Sequence, residues 1–223
     1  MTEAEWLDCM DVNRLLVHLT REHSPPDLRK LRLFVCACCR RLWDQLSRRL
    51  QQIVESAELF ADGRLSRRQL IAARHDAKRT TQRLERRKPA VTALLWAVYD
   101  GDRPPLVWVQ AAAQACVEAV SESAADVRAW AAERTAQAAL LHDLFGNPFR
   151  AVAIDPACLT WHDGLVAHMA QDIYEEHNFE ELPVLGDALE EAGCHDDDIL
   201  SHCRAKSEHA RGCWLLDGLL GKA

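Results

Sequence analysis

Cys36 and Cys39 form a C-x-x-C with Cys38 between them, and a second set of soft donors follows far downstream at Cys194, His195, His202, Cys203, His209 and Cys213. A zinc site brings four such ligands together, commonly as two close pairs. The later set holds no second C-x-x-C, and the first pair lies on a segment of helical periodicity with Cys38 and Cys39 on its apolar face. Free cysteine is among the most buried residue types, so core packing is the favoured reading of these thiols. No metal or other cofactor is favoured. Zinc is the lesser reading, and Cys36, Cys39, His202 and Cys203 are its candidate ligands.

Two further groupings could move protons or hold a metal in hydrolysis: Asp196, Asp197 and Asp198 beside His195, and His162–Asp163 beside Trp161. An aspartate at a helix start is first of all an N-cap. The sequence contains no G-x-S-x-G, no P-loop, no H-E-x-x-H and no G-x-G-x-x-G. No catalytic residue is assigned on these patterns.

Charge is distributed more informatively than chemistry. Residues 64–88 carry ten Lys/Arg against two acids, a net +8, whereas residues 151–200 carry thirteen Asp/Glu and no Lys or Arg. Opposed blocks attract each other or partners of opposite sign. The basic block is charged around its whole axis, unlike a recognition helix that reads bases with one face, and the whole chain is acidic, with pI near 5.8. Nucleic acid is therefore the less favoured partner. The acidic block, with Glu175, Glu176, Glu190, Glu191, Asp196 and Asp197 near expected helix ends, is the candidate surface for another, basic protein.

The elements that must position these residues are helices. Ala, Leu, Arg and Glu dominate, and strand-favouring aromatics are few, with two Tyr and five Phe in 223 residues. Thr2 and Glu5 make a capping box, Asp27 precedes an amphipathic helix with Arg29, Arg40 and Arg41 on its polar face, and Gly63 ends the helix after it. The basic helix, capped by Ser66, has a thin apolar face of Leu70, Ala73 and Leu84 and is expected to lie in solvent. One long Ala-rich helix is expected over about 104–145. Gly146, Asn147 and Pro148 end it, with Phe149 and Trp214 anchoring that loop on the core. Thr160 or Asp163 should cap a helix through Glu176, Leu182–Pro183 should open another that stops at Gly193, Asp196 should cap one to Arg204, and a last should begin near Arg211. The sequence thus predicts an all-α, bundle-like fold: a helical region 1–145, with an acidic, loop-rich helical region 146–223 packed on it as one continuous domain.

The blocks RKLRLFVCACCRRLW, LLHDLFGNPFR, LTWHDGLVAHMAQDIY, LPVLGDALEEAGC, ILSHCR and RGCWLLDGLLGK resemble a family of uncharacterised bacterial proteins that vary in the Ala-rich middle. The resemblance carries no catalytic residue across, and the basic stretch departs from its pattern. No apolar run approaches the length of a membrane span, and the start has no basic region followed by an apolar one, so a cytoplasmic protein is expected. The function expected from these readings is a protein–protein interaction or adaptor module rather than an enzyme. The alternatives are a Cys/His/Asp metal protein or hydrolase, and a nucleic-acid-associated protein acting through the basic helix.

Overall fold

The computed structural model describes residues 1–22, 25–83, 89–120, 126–150 and 152–222. Among them every regular element is helical, as the composition predicts. The chain divides into two compact units, Met1–Leu141 and His142–Ala223. The division falls within a helix, a few residues before the Gly146 turn where the sequence placed it.

In the first unit, α1 (Glu3–Leu7) opens with the expected capping box. Thr2 Oγ1 accepts from Glu5 N–H at 3.3 Å, and the Glu5 carboxylate accepts from Thr2 N–H at 2.8 Å. α2 (Val12–Val17) is capped by Asp11 and runs on into a π-helical turn over His18–Glu22. α3 (Leu28–Arg40) starts at Asp27, whose side chain accepts from Lys30 N–H. α4 (Arg48–Ala61) ends at Gly63, with φ of 70°. α5 (Arg67–Arg83) is the basic helix, and Ser66 and Gln69 close its first turn reciprocally. Its thin face is real but not idle: Leu70 and Ala77 are fully buried, and the helix packs on α4 and on α6 (Pro89–Ala97). Leu84 and the rest of the basic block to Lys88 lie outside the described residues.

The long Ala-rich helix is two helices. α7 (Pro105–Ala119) is capped at Val120, and α8 (Val127–Phe145) begins anew after Asp126, whose carboxylate accepts from Ala129 N–H at 3.1 Å. A side chain that caps a helix start ends any helix that would pass through it.

α3 is the hub of this unit, packed on α4, α6 and α7. More than a stripe of it is covered, including Leu31, Leu33, Phe34, Val35 and all three of its cysteines. Its polar face carries clamps. Arg40 grips Glu58 of α4 through two bonds of 2.5 and 2.7 Å, Arg41 reaches Glu133 of α8 at 2.8 Å, and Arg29 reaches Asp62 at 3.0 Å. Glu58 and Glu133 are only 3% and 2% exposed. A carboxylate that deep is stable only with a matched cation, and the planar guanidinium fork supplies one.

The second unit begins with the last turn of α8. It adds α9 (Pro156–Thr160), α10 (Leu165–Glu176), α11 (Leu182–Glu191), α12 (Asp197–Arg204) and α13 (Trp214–Leu219). Its core joins Val166, Ile173 and Tyr174 of α10 to Leu185 and Leu189 of α11, Ile199 and Cys203 of α12, and Leu215, Leu216 and Leu219 of α13. Asp196 caps α12 as expected, and Gly193, at φ of 93°, follows the end of α11. Neither Thr160 nor Asp163 caps α10. His162 and Asp163 instead adopt left-handed backbone, with φ of 46° and 57°, and Gly164 takes the N-cap position at 85°. Phe149 is no anchor, being 42% exposed. Trp214 does hold the Gly146 turn, because a Cβ on Gly146 would stand 2.9 Å from its ring. α13 starts at Trp214 rather than at Arg211, because Gly212, at φ of 91°, turns the chain just before it. No described helix is long and apolar enough to cross a membrane.

Arg40→Leu should destabilise the protein by about 3 kcal/mol, because it strands the buried Glu58 carboxylate, whereas Arg40→Leu with Glu58→Leu should recover most of that loss. Urea denaturation of the three proteins measures both effects; equal losses in the single and double variants would refute the clamp. Cys38 and Cys39, at 0% and 1% exposure, fill apolar space beside Cys116. Serine at either position should therefore cost about 1 kcal/mol or more in the same assay.

Candidate metal centre

Three segments of the second unit meet at one point. Asp143 comes from the last turn of α8, His202 from the last turn of α12, and His209 and Cys213 from the loop that leads into α13. One ligand atom from each lies within 4.8 Å of the others. His209 Nδ1 stands 2.6 Å from Asp143 Oδ1, His202 Nε2 stands 3.4 Å from the same oxygen, and His202 Nε2 stands 3.0 Å from Cys213 Sγ. In a tetrahedral zinc site, metal–ligand bonds of 2.0–2.3 Å separate the donors by roughly 3.4 Å. The cluster is already close to that spacing.

Each donor has a local reason to be there. Gly146, at φ of 59°, ends α8 one turn after Asp143 and admits the Trp214 ring. The other carboxylate oxygen, Asp143 Oδ2, accepts from Ala210 N–H at 2.9 Å, so Oδ1 alone is turned to the cluster. His209 Nε2 lies 3.4 Å from Ser207 Oγ, a second contact that orients the ring. A ligating histidine commonly uses its other nitrogen in this way. The Cys213 backbone N–H bonds to Ala210 O at 2.9 Å, closing the tight turn at Arg211–Gly212. Trp214, the next residue, donates its indole N–H to His202 Nδ1 at 3.2 Å.

The site is dry. Asp143 is 4% exposed and Cys213 is fully buried. Burial, opposed by Asp143 and reinforced by His209, lowers the His202 pKa to about 4, so this imidazole is neutral at pH 7, the form that ligates. Burial first, and then the Asp143 carboxylate, push the Cys213 thiol well above its usual range. The Asp143 carboxylate, the His209 imidazole it contacts, a neutral imidazole and a thiol make a mixed donor set at one spot. A divalent cation there would convert the thiol to a thiolate ligand.

Two catalytic arrangements can be compared with this geometry. In a Cys–His–Asp nucleophile system the carboxylate holds one ring nitrogen while the other faces the thiol. Here Asp143 and Cys213 both approach His202 Nε2, Nδ1 belongs to Trp214, and the thiol has no access to solvent. Ser207, His209 and Asp143 do have serine-triad connectivity, but that pairing leaves His202 and Cys213 without a role. A metal on His209 Nδ1, with Nε2–H donating to Ser207, uses all of them.

The four candidate ligands read from sequence are only partly brought together. His202 is in the centre. Cys203, its neighbour, turns the other way: it is buried against Gly186 of α11, where a Cβ would approach its own Cβ to 2.7 Å, and burial pushes its thiol up to about 12. Cys36 and Cys39 belong to α3 of the first unit and pack among apolar side chains there. His209 and Cys213 were visible in the sequence as soft donors, but Asp143 was not singled out. It lies 66 residues before His209, at the end of what reads as helical filler. Its only sequence signal is a lone acid among the buried Leu140, Leu141 and Leu144.

The six acids expected to bind a partner divide as well. Asp196 is used as the cap of α12, Glu190 pairs with Arg204 at 2.5 Å, and Glu175 bonds to Gln171 at 2.9 Å and Arg211 at 3.3 Å. Glu176, Glu191 and Asp197 are exposed. Asp198 pairs with Arg150, and His195, His162 and Asp163 are exposed and join no group of metal-ligand spacing among the described residues. Comparison of the chain with protein-family models, with curated proteins and with solved structures found no match.

Proposed function

We propose that the second unit is a metal-tied binding module, with a zinc-class ion held by Asp143, His202, His209 and Cys213. The observation that carries this reading is the convergence of one oxygen, two nitrogens and one sulfur, from three separate segments, within 4.8 Å. That donor mixture suits zinc better than calcium or magnesium, which prefer oxygen alone. Four protein ligands close a tetrahedron and leave no open position for water or substrate, so the ion is structural. It ties the end of α8 to α12 and to the loop before α13, which otherwise meet through a short irregular stretch.

A closed structural ion performs no reaction; it holds a surface. The surface this unit offers is acidic, with Glu176, Glu191 and Asp197 exposed and Val184 of α11 56% exposed near them in sequence. A basic segment of another protein is the partner that fits such a face, and charge would steer the encounter.

Protein produced with zinc in the medium should carry one zinc per chain by elemental analysis. His209→Ala and Cys213→Ser should lose most of it, while Cys36→Ser and Cys39→Ser should keep it. Chelation should lower the thermal midpoint by about 10 °C, since an ion bound only by the folded state stabilises that state. Metal-free protein that cannot be reloaded, or loading that ignores His209→Ala and Cys213→Ser, would sink the reading. Lysine at Glu176, Glu191 and Asp197 together should abolish co-purification of a basic partner without changing zinc content; unchanged recovery would refute the acidic face as the binding surface.

A further inference from the structure

The first unit contains a cavity of about 590 Å³, within the size range of small-molecule sites, lined by the ends of α3, α4 and α7 and by the loop after α6. At its side is Arg32. The guanidinium donates to Ala97 O at 2.5 Å and to Tyr99 O at 2.9 Å, and stands 5.0 Å from the centre of the Phe60 ring and 5.6 Å from that of Trp108. These contacts use two of its five N–H donors. Unlike Arg29 and Arg40 of the same helix and Arg41 at its C-cap, it has no carboxylate in ion-pair contact among the described residues. Burial acts to lower the Arg32 pKa and the facing acid Asp100 opposes it, but the Asp100 carboxylate is itself bonded to Arg67 at 3.0 Å.

The walls are as distinctive as the charge. Phe60, Tyr99 and Trp108 line the cavity, and Arg103 contributes a further cation at the rim. Tyr99 lies over Gly101, where a Cβ would be 2.3 Å from its hydroxyl, and that hydroxyl accepts from Arg103 N–H at 3.2 Å. The loop that closes the cavity is thereby fixed to an aromatic wall. Among the described residues neither Arg32 nor Arg103 has a carboxylate in ion-pair contact, and of the two lining acids Asp100 is bonded to Arg67 and Asp102 to no arginine.

The geometry points to a ligand site in this cavity for a small planar anion: a carboxylate or phosphate on the Arg32 guanidinium, with a flat apolar body between Phe60 and Trp108. A half-buried guanidinium has lost part of its hydration, which an incoming anion offsets, and the fork matches either oxyanion. Aromatic walls accept a planar group by stacking or edge contact. This site is independent of the metal centre, which lies in the other unit.

Calorimetric titration of the intact protein with benzoate, adenosine monophosphate, their neutral counterparts benzamide and adenosine, and inorganic phosphate tests the assignment. At least one aromatic anion should bind saturably, and its neutral counterpart about tenfold more weakly or worse. Benzoate alone binding identifies a carboxylate ligand; adenosine monophosphate alone, a phosphate. Arg32→Met should weaken the anion by about tenfold or more, and Phe60→Ala should weaken it too. Asp100→Asn, which leaves the carbonyl bonds of Arg32 in place, removes a lining acid and releases its partner Arg67, so it should tighten anion binding by about threefold; it tests the site even if Arg32→Met does not fold. The assignment is overturned if neither aromatic anion binds, if neutral and charged probes bind alike, if phosphate binds as tightly as the aromatic anions, or if Asp100→Asn leaves the affinity unchanged.

Discussion

Burying a carboxylate away from water is tolerable only beside a compensating charge, and both units of this protein are arranged around that constraint. Glu58 and Glu133 each receive an arginine from α3, and the positions of α4 and of the first-unit part of α8 follow from those two pairs. Asp143 is buried as deeply but meets two imidazoles, a thiol and a backbone N–H instead of an arginine. The contrast is the main physical reason for reading the second cluster as a cation site rather than as one more internal clamp. Hydrogen bonds, the His209–Asp143 contact among them, account for its geometry; the mixture of oxygen, nitrogen and sulfur donors is what suits an ion.

The same constraint explains the two roles of arginine on α3. Where the facing helix supplies a buried acid, the guanidinium is an internal bond. At Arg32 the bonded groups are carbonyl oxygens and the neighbouring faces are rings, so the cation is held by dipoles and aromatic faces rather than by a carboxylate contact among the described residues. Sequence periodicity places Arg29, Arg40 and Arg41 on the polar face, whereas Arg32 falls among the apolar positions, between Cys39 and Trp43. What each then bonds to depends on what the neighbouring helices present.

Local chemistry made much of the fold legible. Thr2 with Glu5, Asp27 and Asp196 fix helix starts through hydrogen bonds that reach only two or three residues, and Gly63 and Gly193 follow helix ends through their own backbone freedom. Such signals survive without knowledge of the fold. Asp126 was legible in the same terms, but its Ala-rich surroundings masked it, so two helices read as one. Asp163 shows the reverse case: an acid that looks like a cap lies in a left-handed turn, and Gly164 takes the cap position. The candidate centre was half legible. His202, His209 and Cys213 are close in sequence and chemically conspicuous, whereas Asp143 joins them only through tertiary packing. Cys36 and Cys39 looked like a ligand pair because a C-x-x-C on a helix and a C-x-x-C in a zinc loop are identical as text.

Gly186 gives the second unit an unexpected mechanical property. The Cβ of Cys203 occupies the space a side chain at position 186 would need, so α11 and α12 touch with no slack between them. Cys203 follows His202 directly, and the two have opposite tasks, one wedged into a helix contact and the other turned to the donor cluster. A displacement of α12 against α11 would therefore be felt one residue away, at the imidazole. The geometry of the cluster shares its tolerances with a spot of backbone that takes no part in it.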